Sequence, residues 1–142
     1  MNAKQESEKL MNAMLPLAEK MLKQYGEFYP YGGCMKPDGS IVDVGADDSD
    51  TDHPKSKDLI YVLRSSFREM ANTGQCKAVA IVFNTSVNLP KSDRKSDAIQ
   101  VCVEHAEGYS AEVFFPYQII NNEITYGETF AQEGKREIFG GI

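Results

Sequence analysis

Three cysteines, two histidines and a run of aspartates are the side chains of this 142-residue chain whose types invite chemistry. Cys34, Cys76 and Cys102 are widely spaced, and His53 stands far from His105. A tetrahedral zinc centre is usually written as close ligand pairs such as Cys-x-x-Cys or His-x3-His. The chain contains neither pair, so no metal and no cofactor is expected. Thiol catalysis needs a base within hydrogen-bond reach of the sulfur. Cys102, Glu104 and His105 fall in one alternating stretch, which places Cys102 and Glu104 on one sheet face and His105 on the other. An in-strand Cys–His dyad is thereby disfavoured, and the three thiols read as small buried hydrophobes.

Asp48, Asp50 and Asp52 alternate as at the start of a helix–loop–helix calcium loop. The match then breaks: His53 stands where that loop needs glycine, and Leu59 where it needs a bidentate glutamate. A solvated acidic loop ahead of a helix, favoured there by the helix dipole, is the simpler reading. Gly32–Gly33 and Gly140–Gly141 lack the glycine and lysine pattern of a phosphate loop. Lys91, Arg94 and Lys95 make a modest basic loop that Asp93 and Asp97 dilute. Tyr25, Phe28, Tyr29 and Tyr31 crowd four rings into seven residues. Tyrosine is a rigid amphipathic anchor at recognition surfaces, and the alternative is that these rings cap one end of the core.

The elements that must position these groups follow from periodicity. Leu10, Met14, Leu17, Ala18, Met21, Leu22 and Tyr25 recur at helical steps, with Pro16 inside to kink or restart the helix and Gly26 to stop it. Phe28 to Met35 reads as a strand. Its Pro30 and Gly32–Gly33 suit an edge or a bulge, and Lys36-Pro37-Asp38-Gly39 turns it into a second strand over Ser40–Val44. Pro54 suits the first turn of a second helix, striped by Leu59, Ile60, Leu63, Phe67, Met70 and Ala71 and closed by Gly74. Ala78–Phe83 is an unbroken apolar run, the mark of a central strand covered on both faces. Ile99, Val101 and Val103, then Ala111, Val113, Phe115 and Tyr117, alternate with polar or outward-facing neighbours. Between these runs Ser86–Asp97 reads as a polar connection. Asn121-Asn122 is a tight hairpin turn, and Glu128–Ile142 is a loosely packed tail. The expectation is an α+β fold: a single antiparallel sheet of five or more strands with two helices on one face, in one domain over 1–142.

The order helix, strand, strand, helix, three strands resembles profilin-like and roadblock-like domains, an αββαβββ layout. The blocks Phe28-Tyr29-Pro30-Tyr31-Gly32, Pro37-Asp38-Gly39, Asp97-Ala98-Ile99 to Glu104-His105 and Pro116-Tyr117 resemble a group of small bacterial proteins with no established activity. That resemblance assigns no residue a role. In size and acidic character the chain is similar to immunity proteins that neutralise bacterial toxins.

A formal net charge of −6 argues against general nucleic-acid or membrane-surface binding, which need a basic face. An odd cysteine count fits reduced thiols in a cytoplasm. The N-terminal stretch has no signal-type apolar core, and no window has the roughly 20 apolar residues of a membrane helix. The leading expectation is a non-enzymatic binding protein of the immunity or inhibitor kind. It would meet a basic protein partner through Asp47, Asp48, Asp50, Asp52, Tyr29 and Tyr31. The alternatives are a small-molecule or peptide sensor that pairs as a homodimer through the edge near Tyr31–Cys34, and an enzyme using His105, Cys102 or Glu104 in a cleft.

Overall fold

A computed structural model describes residues 1–45 and 55–139. The acidic loop with Asp47, Asp48, Asp50 and Asp52, His53 and the helix start at Pro54 lie outside the described residues. The element order is α1 (Ala3–Tyr25), β1 (Tyr31–Met35), β2 (Ile41–Val44), α2 (Ser56–Asn72), β3 (Ala78–Asn88), β4 (Lys95–His105), β5 (Ser110–Ile120), β6 (Glu123–Tyr126) and β7 (Phe130–Glu133). All strand pairs are antiparallel, in the spatial order β2-β1-β3-β4-β5-β6, with β7 beside β6 along the outer edge of β5. Among the described residues no helix is long and apolar enough to cross a membrane.

The helices lie on opposite faces of the sheet, not on one. Leu10, Met14, Ala18 and Leu22 of α1 pack with Ala78, Ala80, Val82, Ile99, Val101 and Val103. Leu63 and Phe67 of α2 pack with Cys34, Val79 and Ile81 on the other side. The apolar run of β3 is the physical reason, because a strand with no polar face must be covered twice. Adjacent β1 is likewise buried at all five residues and paired on both edges, so the expected edge or bulge is an interior strand. Its glycines admit the helices. A Cβ on Gly32 would meet Phe67 of α2 at 2.9 Å, and one on Gly33 would strike the Met14 sulfur of α1.

Helix α1 starts with a capping box: the Asn2 side chain accepts from Gln5 N–H, and the Gln5 side chain accepts from Asn2 N–H. It ends at Gly26, whose φ of 73° closes the last turn onto Leu22. Its buried row is Ser7, Leu10, Met14, Ala18 and Leu22, while Leu17 and Tyr25 face outward. Pro16 neither ends nor splits it. A proline at this point cannot donate and crowds the preceding turn. The ladder bond from Ala18 to Met14 spans that site, and the Tyr31 hydroxyl occupies it: Ala18 N–H donates to the hydroxyl at 3.0 Å, and the hydroxyl donates to the Met14 carbonyl. Tyr31 is therefore core, and burial lifts its hydroxyl above the ordinary phenol range.

The remaining turns follow their residue chemistry. Gly39 at φ 92° closes the β1–β2 hairpin, with Asp38 accepting from the Ser40 amide and hydroxyl. Asn121 and Asn122, both at positive φ, form the two-residue β5–β6 turn. The stretch expected as a connection over Ser86–Asp97 is largely ladder, since pairing runs out to Asn88↔Lys95 beyond the edge of the core. The tail is also more ordered than its composition implies. Phe130 stacks on Phe114 at 4.9 Å, and Ile138 is buried.

Tyr31→Phe should cost about 1–3 kcal/mol in chemical denaturation, because it strands a buried donor and a buried acceptor. In a Pro16→Ala background the loss should shrink, since the helix can close its own Ala18–Met14 bond. An additive double-mutant cycle would show that the two residues are not coupled.

Candidate functional site

The residues singled out for chemistry fall into three places. The first joins α1 to the sheet. His105, at the end of β4 and 1% exposed, points to the α1 side, opposite Glu104. Its Nδ1 accepts from the Glu107 N–H at 3.1 Å, so Nε2 carries the proton and donates to Glu6 Oε1 at 2.9 Å. Lys77, just before β3, holds the other Glu6 oxygen at 2.5 Å. The Lys77 ammonium first, and then His105, hold the Glu6 carboxyl below its ordinary value of 4.5. This cluster clamps the first turn of α1 onto the sheet. Both ring nitrogens of His105 are engaged by groups of the fold, which leaves neither free as a catalytic base. Sequence reasoning did not find Glu6, whose partner lies far along the chain and carries no local motif.

The second place is the set of thiols. Cys34 and Cys76 are buried against α2, and Cys102 is half-buried on the same sheet face beside Gln100. Burial raises all three above their ordinary 9.0, Cys76 and Cys102 to about 11. A thiol so placed is a poor nucleophile at neutral pH. Among the described residues no group of three or more His, Cys, Asp or Glu side chains is set to hold a metal ion.

The third place is open to solvent. Beyond the last turn of α1, Tyr25 is 73% exposed and Tyr29 53% exposed. With Met21, Glu27, Phe28 and Ser56 they line a cleft of about 400 Å³. Phe28 is the floor, packed edge-on against Tyr31 at 5.9 Å between ring centres. The four-ring cluster thus divides: Phe28 and Tyr31 complete the core, whereas Tyr25 and Tyr29 remain outside. Of the residues expected to bind a partner, Tyr29 is at the surface. Tyr31 is not, because its hydroxyl is spent inside the α1 ladder. Tyr25 was assigned to the helix stripe. Its outward position follows from the buried row ending at Leu22, with the helix stopping at Gly26. Ser56, the first residue of α2, also lines this cleft.

No family model, no curated protein and no solved structure matches this chain.

The Glu6 carboxylate has a lowered folded-state pKa. Its contribution is therefore complete above about 4.5 and is lost as pH falls through the lower folded value. Glu6→Gln should weaken the protein at pH 7 and flatten the decline of stability with acid below 4.5. A mutant whose acid denaturation curve kept the unaltered slope would remove this role. Iodoacetamide at pH 8 should label the three cysteines slowly in the folded protein and rapidly in denaturant. One fast-reacting thiol in the native state would reopen the thiol-enzyme reading.

Proposed function

We propose that this chain is a non-enzymatic protein-binding module of the immunity or inhibitor kind, which docks a basic partner through Tyr25, Tyr29 and the acidic stretch Asp47, Asp48, Asp50 and Asp52. The observation that carries the reading is the tyrosine-walled cleft, which is also lined by Ser56, four residues after Asp52 in the sequence. Two solvent-facing tyrosines supply contact area at low entropy cost, since each has only two rotatable side-chain bonds. The carboxylates of the acidic stretch draw in a cationic surface and speed encounter without needing close packing. A net charge of −6 extends that steering over the whole molecule.

The competing readings lose their motivating residues. A dimer through the edge near Tyr31–Cys34 has no free edge there, because β1 is paired with β2 and β3. An enzyme built on His105, Cys102 and Glu104 would have to draw on two sheet faces, with His105 locked to Glu6 and Glu104 occupied by backbone amides. A small-molecule sensor would use the same tyrosine cleft, and the partner experiment separates it from the protein-binding reading.

A tagged copy should retain one stoichiometric basic protein from lysate of the native organism, and retention should weaken as salt rises. Against that partner, Tyr25→Ala and Tyr29→Ala should each weaken binding about tenfold or more. Reversing the four aspartates should slow association and flatten the salt dependence. A partner that tolerates both sets of changes refutes this surface.

A further inference from the structure

Where α1 stops, Gly26 at φ 73° turns the chain, and Glu27, Phe28 and Tyr29 come to line one cleft with Met21 and Tyr25 of the last helical turns. Met21 and Tyr25 are four residues apart, which puts them on one face of the helix. Tyr25 and Tyr29 are largely exposed, and neither is stacked on another ring among the described residues, unlike Phe28. Glu27 is the one charged side chain of the lining among the described residues. It pairs with no cation there, whereas Glu6 and Glu137 both do. Lys55 and Lys57 flank Ser56 in the sequence, but neither lines the cleft. Open ring faces, a thioether and an unpaired carboxylate around about 400 Å³ match one kind of guest, an organic cation with a flat apolar body.

We propose that this cleft is a pocket for one arginine side chain of the basic partner, which stacks on Tyr25 and Tyr29 over the Phe28 floor and pairs with Glu27. The pocket rests on the docking role proposed above for the two tyrosines and adds Glu27 as the group that selects the guest. A ring face attracts a cation through its quadrupole. A guanidinium can lie flat on that face while its in-plane N–H groups donate to a carboxylate. An ammonium is a compact, strongly hydrated point charge and cannot satisfy both contacts in one plane. A neutral guest would strip water from Glu27 without replacing its hydrogen bonds, and an anion would be repelled by it. Net charge draws any cation near, whereas this pocket distinguishes arginine from lysine.

The test is an amide-detected NMR titration of the full chain at low salt with four probes: N-acetylarginine amide, its lysine and uncharged citrulline analogues, and tetramethylammonium. The arginine probe should shift the amides of Met21 and of residues 25–29 saturably, and bind at least about threefold more tightly than the lysine probe. The citrulline probe should leave those amides in place. Glu27→Gln should weaken arginine binding about threefold or more and narrow its lead over citrulline. Tyr29→Leu, which keeps an apolar side chain but removes the ring, should weaken arginine by a similar factor. Lysine or tetramethylammonium bound as tightly as arginine would give the cleft to another cation and overturn the arginine assignment. Shifts scattered over carboxylates elsewhere in the chain, or no saturable shift with any probe, would overturn it too. The partner experiment separates this pocket from the docking surface. If the arginine probe fails while Tyr25→Ala and Tyr29→Ala still weaken the partner, the surface stands and the arginine pocket falls. If the probe binds in the cleft while the partner tolerates both tyrosine changes, the docking reading falls, and with it the partner's arginine as the guest.

Discussion

Two helices approach opposite faces of the same five-residue strand, and the rest of the molecule is arranged around that squeeze. Helix α1 reaches β1 over Gly33, and α2 reaches it over Gly32. Any side chain at either position would push a helix outward, at a typical overpacking cost of about 1–3 kcal/mol. The turn of α1 that holds Pro16 and the tyrosine at the start of β1 belong to the same contact. With α1 held this close, the Tyr31 hydroxyl can enter its ladder and satisfy the donor and acceptor it separates. Glu6, Lys77 and His105 then fix the other end of α1. One helix is thus secured at its first turn and near its middle, by polar contacts to residues remote in sequence.

Period and turn chemistry made much of this legible. The alternation in β4 and β5, the hairpins at Gly39 and at Asn121-Asn122, and the helix stops at Gly26 and Gly74 all occur where local residue types place them. The opposite facing of Glu104 and His105 also followed from alternation alone. The placement of the helices did not, although the unbroken run Ala78–Phe83 held the signal: a strand apolar on both faces implies two covering layers. Gly32–Gly33 were read through backbone conformation, as an edge or bulge, when their function here is absence of bulk. The tail was judged by its polar composition. Its order comes from a buried carboxylate and two arginines on other elements, which no local pattern announces.

The candidate surfaces divide along the same line. A ring's type is visible in sequence, but its exposure is a tertiary property. Tyr29 and Tyr31 are two positions apart, and one is at the surface while the other lies within a helix ladder. Charge is sorted too: Arg64 and Arg68 of α2 both hold Glu137 of the tail.

Strand β1 pairs with β3 across the whole of α2, as in Tyr31↔Val82, whereas β3, β4 and β5 pair with their nearest neighbours in sequence. Local pairings close quickly and distant ones slowly, which makes the three-strand meander the natural folding nucleus and the N-terminal third the part that docks last. Synthesis runs the other way, releasing α1 and the β1–β2 hairpin before any residue of β3 exists. In that interval Leu10, Met14, Ala18 and Leu22 have no sheet to cover. The stretch that is finished first must wait longest for its place, and its apolar row is the surface a nascent-chain chaperone would meet.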